Sequence, residues 1–161
     1  MAIAPGDRIP DVKVKTIGAD GPTEVSTAEL LGTGTVVLFA VPGAFTPTCS
    51  DHHLPSYVVR AEELRAKGVD TVACISVNDV FVMDAWGKSQ QVGDSVVMLA
   101  DGNGDFAKAL GLEADLSVAG LGVRSKRYAM VIDDGVVRFV NLETAPGSIE
   151  QSGAEAILAA L

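Results

Sequence analysis

Cysteine is scarce: the chain has only Cys49 and Cys74. Two thiols do not make the bridge framework of a small secreted domain, so burial has to hold this fold together. Aromatic residues are only 5% of the sequence, so the core is built largely from small aliphatic side chains, which suits helices packed closely on a sheet. Positive charge is also in short supply, with 12 Lys and Arg against 21 Asp and Glu and a formal net charge of −9. That balance excludes nucleic acid and anionic membrane as partners, because both require a basic surface. It also means that a thiolate in this chain must find its positive charge locally. No apolar run approaches the roughly 18–20 residues of a membrane span. The first residues, Met1 to Asp7, show neither the basic nor the apolar region of a secretion signal. The expectation is a cytoplasmic protein.

What is present is a chain of 161 residues, 48% apolar, long enough for one domain spanning 1–161 with a substantial core. Val12–Lys15 and Thr23–Val25 flank the turn chemistry of Asp20-Gly21-Pro22, which predicts a hairpin, and Ser26 or Thr27 caps a single helical turn. The β-branched run Thr35–Ala40 predicts a strand. Apolar residues Leu54, Tyr57, Val58, Ala61 and Leu64 recur at helical spacing, with Gly68 as a stop and a kink expected at Pro55. A buried strand follows over 69–76. Asp79 caps a helix whose predicted core side carries Phe81, Val82, Ala85 and Trp86. Next come a strand over 95–100 and a short helix with Phe106, Ala109 and Leu110 inward. Residues 112–126 read as an irregular surface loop. Asp133-Asp134-Gly135 joins a second hairpin, and Ser152-x-x-Glu155 reads as a capping box before a last helix. Alternating strands and helices imply an α/β fold with a parallel central part.

The chemistry concentrates where the Thr35–Ala40 strand meets the next helix. Thr46 followed by Pro47 is a helix start, with a hydroxyl cap and proline at the first helical position. Cys49 then falls in the first turn, where unpaired N–H groups and the helix dipole favour a thiolate over a thiol. The usual fate of a lone cysteine is to be an inert, buried, small apolar side chain. Cys49 stands apart from that rule because of the junction it occupies.

Pro42, Thr46 and Cys49 form a Pro-x-x-x-Thr-x-x-Cys pattern that resembles the active-site motif of the peroxiredoxins. The longer string Val41-Pro-Gly-Ala-Phe-Thr-Pro-Thr-Cys-Ser50, followed by His53-Leu54-Pro55, resembles the type II (peroxiredoxin-five) subfamily. The resemblance implies a thioredoxin-like fold with peroxiredoxin insertions, its central mixed sheet flanked by helices. It also implies a thiol peroxidase for hydrogen peroxide and alkyl hydroperoxides. Cys49 would be the attacking sulfur, Thr46 would hold the peroxide, Pro42 would shield the thiolate and an arginine would stabilise charge. Arg127, just before Tyr128-Ala129-Met130-Val131, resembles the family's arginine in position, and Arg124 is left in support. Ser56 and Tyr57 depart from the glycine and phenylalanine usual in the subfamily, away from the reacting groups.

The same residues admit other roles. Cys49-x-x-His52-His53 suggests a metal site, but helical neighbours do not share a face and no further ligand cluster completes a tetrahedron. Neither metal nor cofactor is expected, and His53 is read as a supporting hydrogen-bonding residue. Cys74 is either a core residue or a resolving cysteine. These 161 residues carry neither the C-terminal cysteine of animal members nor a fused glutaredoxin domain, so an external thiol is expected to recycle the enzyme, through glutaredoxin and glutathione or thioredoxin. A thioredoxin-like oxidoreductase is disfavoured because Cys-x-x-Cys is absent and no proline lies between Pro55 and Pro146. A peroxide sensor or holdase without high turnover is the remaining alternative. Family resemblance implies a homodimer, with Phe45 and Gly120-Leu121-Gly122 as candidate contact residues.

Overall fold

The computed structural model describes residues 2–144 and 148–161, so Pro146 lies outside the described residues. The elements run β1 (Lys13–Gly18), β2 (Gly21–Ser26), α1 (Thr27–Leu30), β3 (Thr35–Ala40), a π-helical turn Cys49–His53, α2 (Leu54–Val59), α3 (Ala61–Ala66) and β4 (Thr71–Ser76). They continue through α4 (Val80–Ser89), β5 (Val97–Ala100), α5 (Asp105–Leu110), β6 (Glu113–Asp115), β7 (Val123–Ser125), β8 (Tyr128–Asp133), β9 (Val136–Leu142) and α6 (Ala154–Ala160). Seven strands form one mixed sheet in the order β2-β1-β5-β4-β3-β8-β9. Its centre, β3 to β5, is parallel, β8 joins antiparallel to β3, and β9 joins antiparallel to β8. Among the described residues no helix is long and apolar enough to cross a membrane.

Both faces of the sheet are covered, and side-chain alternation divides the core accordingly. Val37, Phe39, Cys74, Ala129 and Val131 pack with Leu54, Tyr57, Leu64, Trp86 and Ile157 on one side. Val36, Leu38, Ile75, Tyr128 and Met130 pack with Leu31, Phe106 and Leu110 on the other. The strands are apolar on both faces because helices from both sides bury them.

Several expectations shift in detail. The first hairpin turns at residues 19–20, so Gly21 and Pro22 belong to edge strand β2, where the missing proline N–H is tolerated. The predicted kinked helix is three pieces. Pro55 cannot donate to the preceding turn, and just ahead of it the chain widens so that Leu54 N–H reaches Cys49 O, five residues back. In α4 the buried side is Val80, Met83, Trp86 and Gly87, while Phe81 and Ala85 are exposed. Both stripes have helical spacing, and contact with β1 and β5 selects the first. In α5 it is Ala107, not Ala109, that packs inward. Residues 112–126 contain the small hairpin β6–β7 and are not irregular throughout. No capping box forms before α6: Gly153 is the cap, and Glu155 pairs with Arg60 at 2.7 Å.

Candidate active site

Strand register brings the site together. Ala40, the last residue of β3, pairs with Tyr128, the first of β8. The loop leaving β3 and the residue entering β8 therefore emerge at the same end of the sheet. Arg127 Nη2 donates to Cys49 Sγ at 3.2 Å, across 78 positions of sequence. Cys49 is fully buried and Arg127 is 9% exposed, so the contact is shielded from bulk water.

The loop between β3 and Cys49 is tied down at several points. Asn78 Oδ1 accepts from Ala44 N–H at 3.0 Å and from Ser76 Oγ at 2.6 Å. Arg124 Nη1 reaches Pro42 O at 3.4 Å and its Nε donates to Leu121 O at 2.8 Å. A Cβ on Gly43 would stand 3.1 Å from Thr46 Cγ2 and 3.3 Å from Arg124 Nη1, so glycine permits this close approach. Phe45 adopts φ +65°, a left-handed conformation costing roughly 1–2 kcal/mol for a residue with a Cβ. Its exposed ring lies 6.5 Å from that of Trp86.

Thr46 departs from the expected cap. Its backbone carbonyl accepts the Ser50 N–H at 2.9 Å, as a cap residue's should, but its hydroxyl donates to Gly43 O at 2.6 Å and does not accept from the first turn. The turn is anchored from the side, where Trp86 Nε1 donates to Ser50 Oγ at 2.9 Å. No sequence motif marks the Trp86 or the Asn78 anchor. Ser50 adjoins Cys49 and offered the only local hint.

His52 and His53 separate as helical neighbours do: His52 is exposed and His53 is fully buried. His53 Nδ1 lies 2.8 Å from Arg127 Nη1, and its Nε2 lies 3.0 Å from Ser152 O. Burial first, then the Arg127 charge, lowers its pKa to about 3, against a partial offset from Ser152. The ring stays neutral near pH 7, packed beside the stacked rings of Phe39 and Tyr57 at centroid distances of 4.9 and 5.8 Å.

Cys74 sits in mid-strand on β4, fully buried and beside Phe39 of β3. Burial pushes its thiol well up, Cys49 adds to the rise, and Arg127 opposes it. Both cysteines are free. The structure thus groups Cys49, Arg127 and His53 directly, sets Thr46, Pro42 and Arg124 in the adjoining loop contacts, and leaves Cys74 in the core behind them. A sulfur nucleophile paired with a fixed guanidinium can attack a small electrophile whose leaving group gains negative charge.

The chain is similar to known proteins over nearly its whole length. The Redoxin family model matches residues 4–158. Peroxiredoxin-2E-2, chloroplastic, from Oryza sativa subsp. japonica is 54% identical over 99% of this chain and 72% of its own length. Peroxiredoxin-2C from the same organism is 50% identical over 99% of this chain and 98% of its own. Among solved structures, reduced Prx3 in complex with hydrogen peroxide from Vibrio vulnificus matches with TM-score 0.93 and 53% identity over 98% of both chains.

Proposed function

This chain belongs to the Redoxin family as a peroxiredoxin, a thiol-dependent peroxidase, and from that premise we propose that Cys49 is its attacking sulfur and Arg127 its charge-stabilising partner. The Cys49 thiolate attacks the terminal oxygen of a peroxide in line. The O–O bond breaks, the transferred oxygen stays on sulfur as sulfenic acid, and the departing hydroxide or alkoxide leaves as water or alcohol once protonated. The 3.2 Å contact from Arg127 Nη2 to Cys49 Sγ carries this reading. A guanidinium cannot lose its charge and has further donors in the same plane for the leaving oxygen. Thr46 supplies a hydroxyl beside the path, Pro42 keeps an N–H out of it, and Arg124 and His53 hold the surroundings.

An external thiol then attacks the sulfenic acid, releasing water and leaving a mixed disulfide, and a second thiol frees Cys49. Glutaredoxin with glutathione, or thioredoxin, is the proposed reductant. With Cys49 at zero exposure, the Cys49–His53 turn has to open for that step. Cys74 is proposed to be structural, since its thiol is held protonated within the sheet. The exposed apolar side chains Phe45, Val118 and Val123 support a homodimer formed through the loops around the site. Two free thiols are compatible with the reducing cytoplasm, the proposed location.

The test is peroxide turnover assayed separately with thioredoxin, with glutaredoxin and glutathione, and with dithiothreitol. Sustained turnover with at least one protein reductant is expected. A single stoichiometric oxidation that no thiol reverses would leave a sensor, not a peroxidase.

A further inference from the structure

Arg127 must be aimed as well as present. A guanidinium has only donors, so the Nδ1 atom 2.8 Å from Arg127 Nη1 has to be a bare acceptor. On the far side of the ring, Nε2 faces the carbonyl oxygen of Ser152 at 3.0 Å. A carbonyl only accepts, so Nε2 has to carry the proton. One form of His53 meets both demands: neutral imidazole protonated on Nε2. Ser152 O therefore selects the tautomer, and it is itself held by the Tyr57 hydroxyl at 2.6 Å.

What fixes Ser152 is a single carboxylate oxygen. Glu143 Oε2 accepts from Gln151 N–H at 2.9 Å, from Ser152 N–H at 2.5 Å and from Ser152 Oγ at 2.6 Å. The Glu143 backbone N–H in turn donates to Arg127 O at 3.0 Å. Glu143 thus touches two members, Ser152 and Arg127, of the chain of contacts that runs Ser152, His53, Arg127, Cys49. We propose that Glu143 is a positioning residue for peroxide reduction: its carboxylate fixes the turn at Ser152, whose carbonyl fixes the His53 tautomer that aims Arg127 at Cys49. The inference rests on Cys49 and Arg127 being the reacting pair. It goes beyond that pair because the contacts of Glu143 are with Arg127, Gln151 and Ser152 and not with the Cys49 sulfur.

The test uses the full chain, reduced and mixed with hydrogen peroxide in a stopped-flow instrument, with the single tryptophan, Trp86, as fluorophore. The nitrogen resonances of His53 report its tautomer. Glu143→Gln is expected to slow the reaction by roughly 10- to 100-fold, the scale of a misaimed catalytic group, and to shift Nδ1 away from its unprotonated position. In a His53→Asn background, where an amide oxygen accepts without any choice of tautomer, the same substitution should cost less than about 2-fold. Wild-type rate with an unchanged tautomer overturns the proposal. So does an equal loss in both backgrounds, which is what a purely structural role would give. Should Glu143→Gln not fold, Ser152→Ala removes one donor and keeps the carbonyl: a tautomer shift with a slower reaction supports the relay, and no shift sinks it. Arg127→Ala separates the two levels. If it reacts at the wild-type rate, the reacting pair itself is wrong; if it is slow while Glu143→Gln is not, only the relay fails.

Discussion

The two cysteines make a controlled comparison inside one molecule. Both thiols are fully buried and both belong to the same apolar cluster. Cys49 sits on a helical turn with a guanidinium N–H at 3.2 Å. Cys74 sits in a strand, its neighbours on either side Phe39 and Met98, and its thiol is driven well above the ordinary range by burial. Burial alone raises a thiol's pKa. The proposed nucleophile, Cys49, differs in the guanidinium that the fold sets beside its sulfur.

The comparison can be broken most completely at its reactive end. Cys49→Ser should abolish peroxide turnover, measured with excess thiol reductant, whereas Cys74→Ser should not. Next, Arg127→Lys keeps the positive charge and loses the planar fork. It should slow the reaction with hydrogen peroxide by roughly 10²–10³-fold, comparable to removing one donor from an oxyanion site.

Acid sharpens the contrast through His53, whose pKa is lowered from 6.5 to about 3 by burial and Arg127. Between those values the unfolded chain binds a proton that the native ring refuses, so stability falls as pH drops through that window. The stability advantage of wild type over His53→Asn in urea unfolding should narrow by about 3 kcal/mol between pH 7 and pH 4. A gap that stayed constant would mean that the ring takes up its proton while still folded. The smallest effect belongs to Cys74, the thiol proposed to be structural. Cys74→Ala should leave the peroxide rate within about 2-fold and lower stability by about 1–2 kcal/mol, the scale of a small core truncation. A larger rate loss with every thiol reductant would return Cys74 to the catalytic cycle.

The motif around Cys49 was legible because its parts are close in sequence: Pro42, Thr46 and Cys49 occupy a single loop and turn. The order of strands and helices was legible for a similar reason, since each element is specified by local pattern. Choices between equally periodic alternatives were not legible. Phe81 and Ala85 share a helical stripe as good as Val80, Met83 and Trp86, and only the surface supplied by β1 and β5 decides which is buried. Ser152 and Glu155 have capping-box spacing, yet Glu143 takes Ser152 and Arg60 takes Glu155, from 9 and 95 residues away. The Thr46 hydroxyl had two nearby acceptor and donor choices, and loop closure at Gly43 settled it. The Ser152 carbonyl had no signal at all, because a backbone oxygen carries no residue identity.

The pairing of Ala40 with Tyr128 has one more result. Cys49 is made early in the chain and Arg127 late, and a slip of one residue in β8 would turn the guanidinium to the opposite face. On the proposed roles, a chain in which β8 has not yet paired with β3 holds its sulfur without the cation, so peroxide reactivity would report that this pairing is in place.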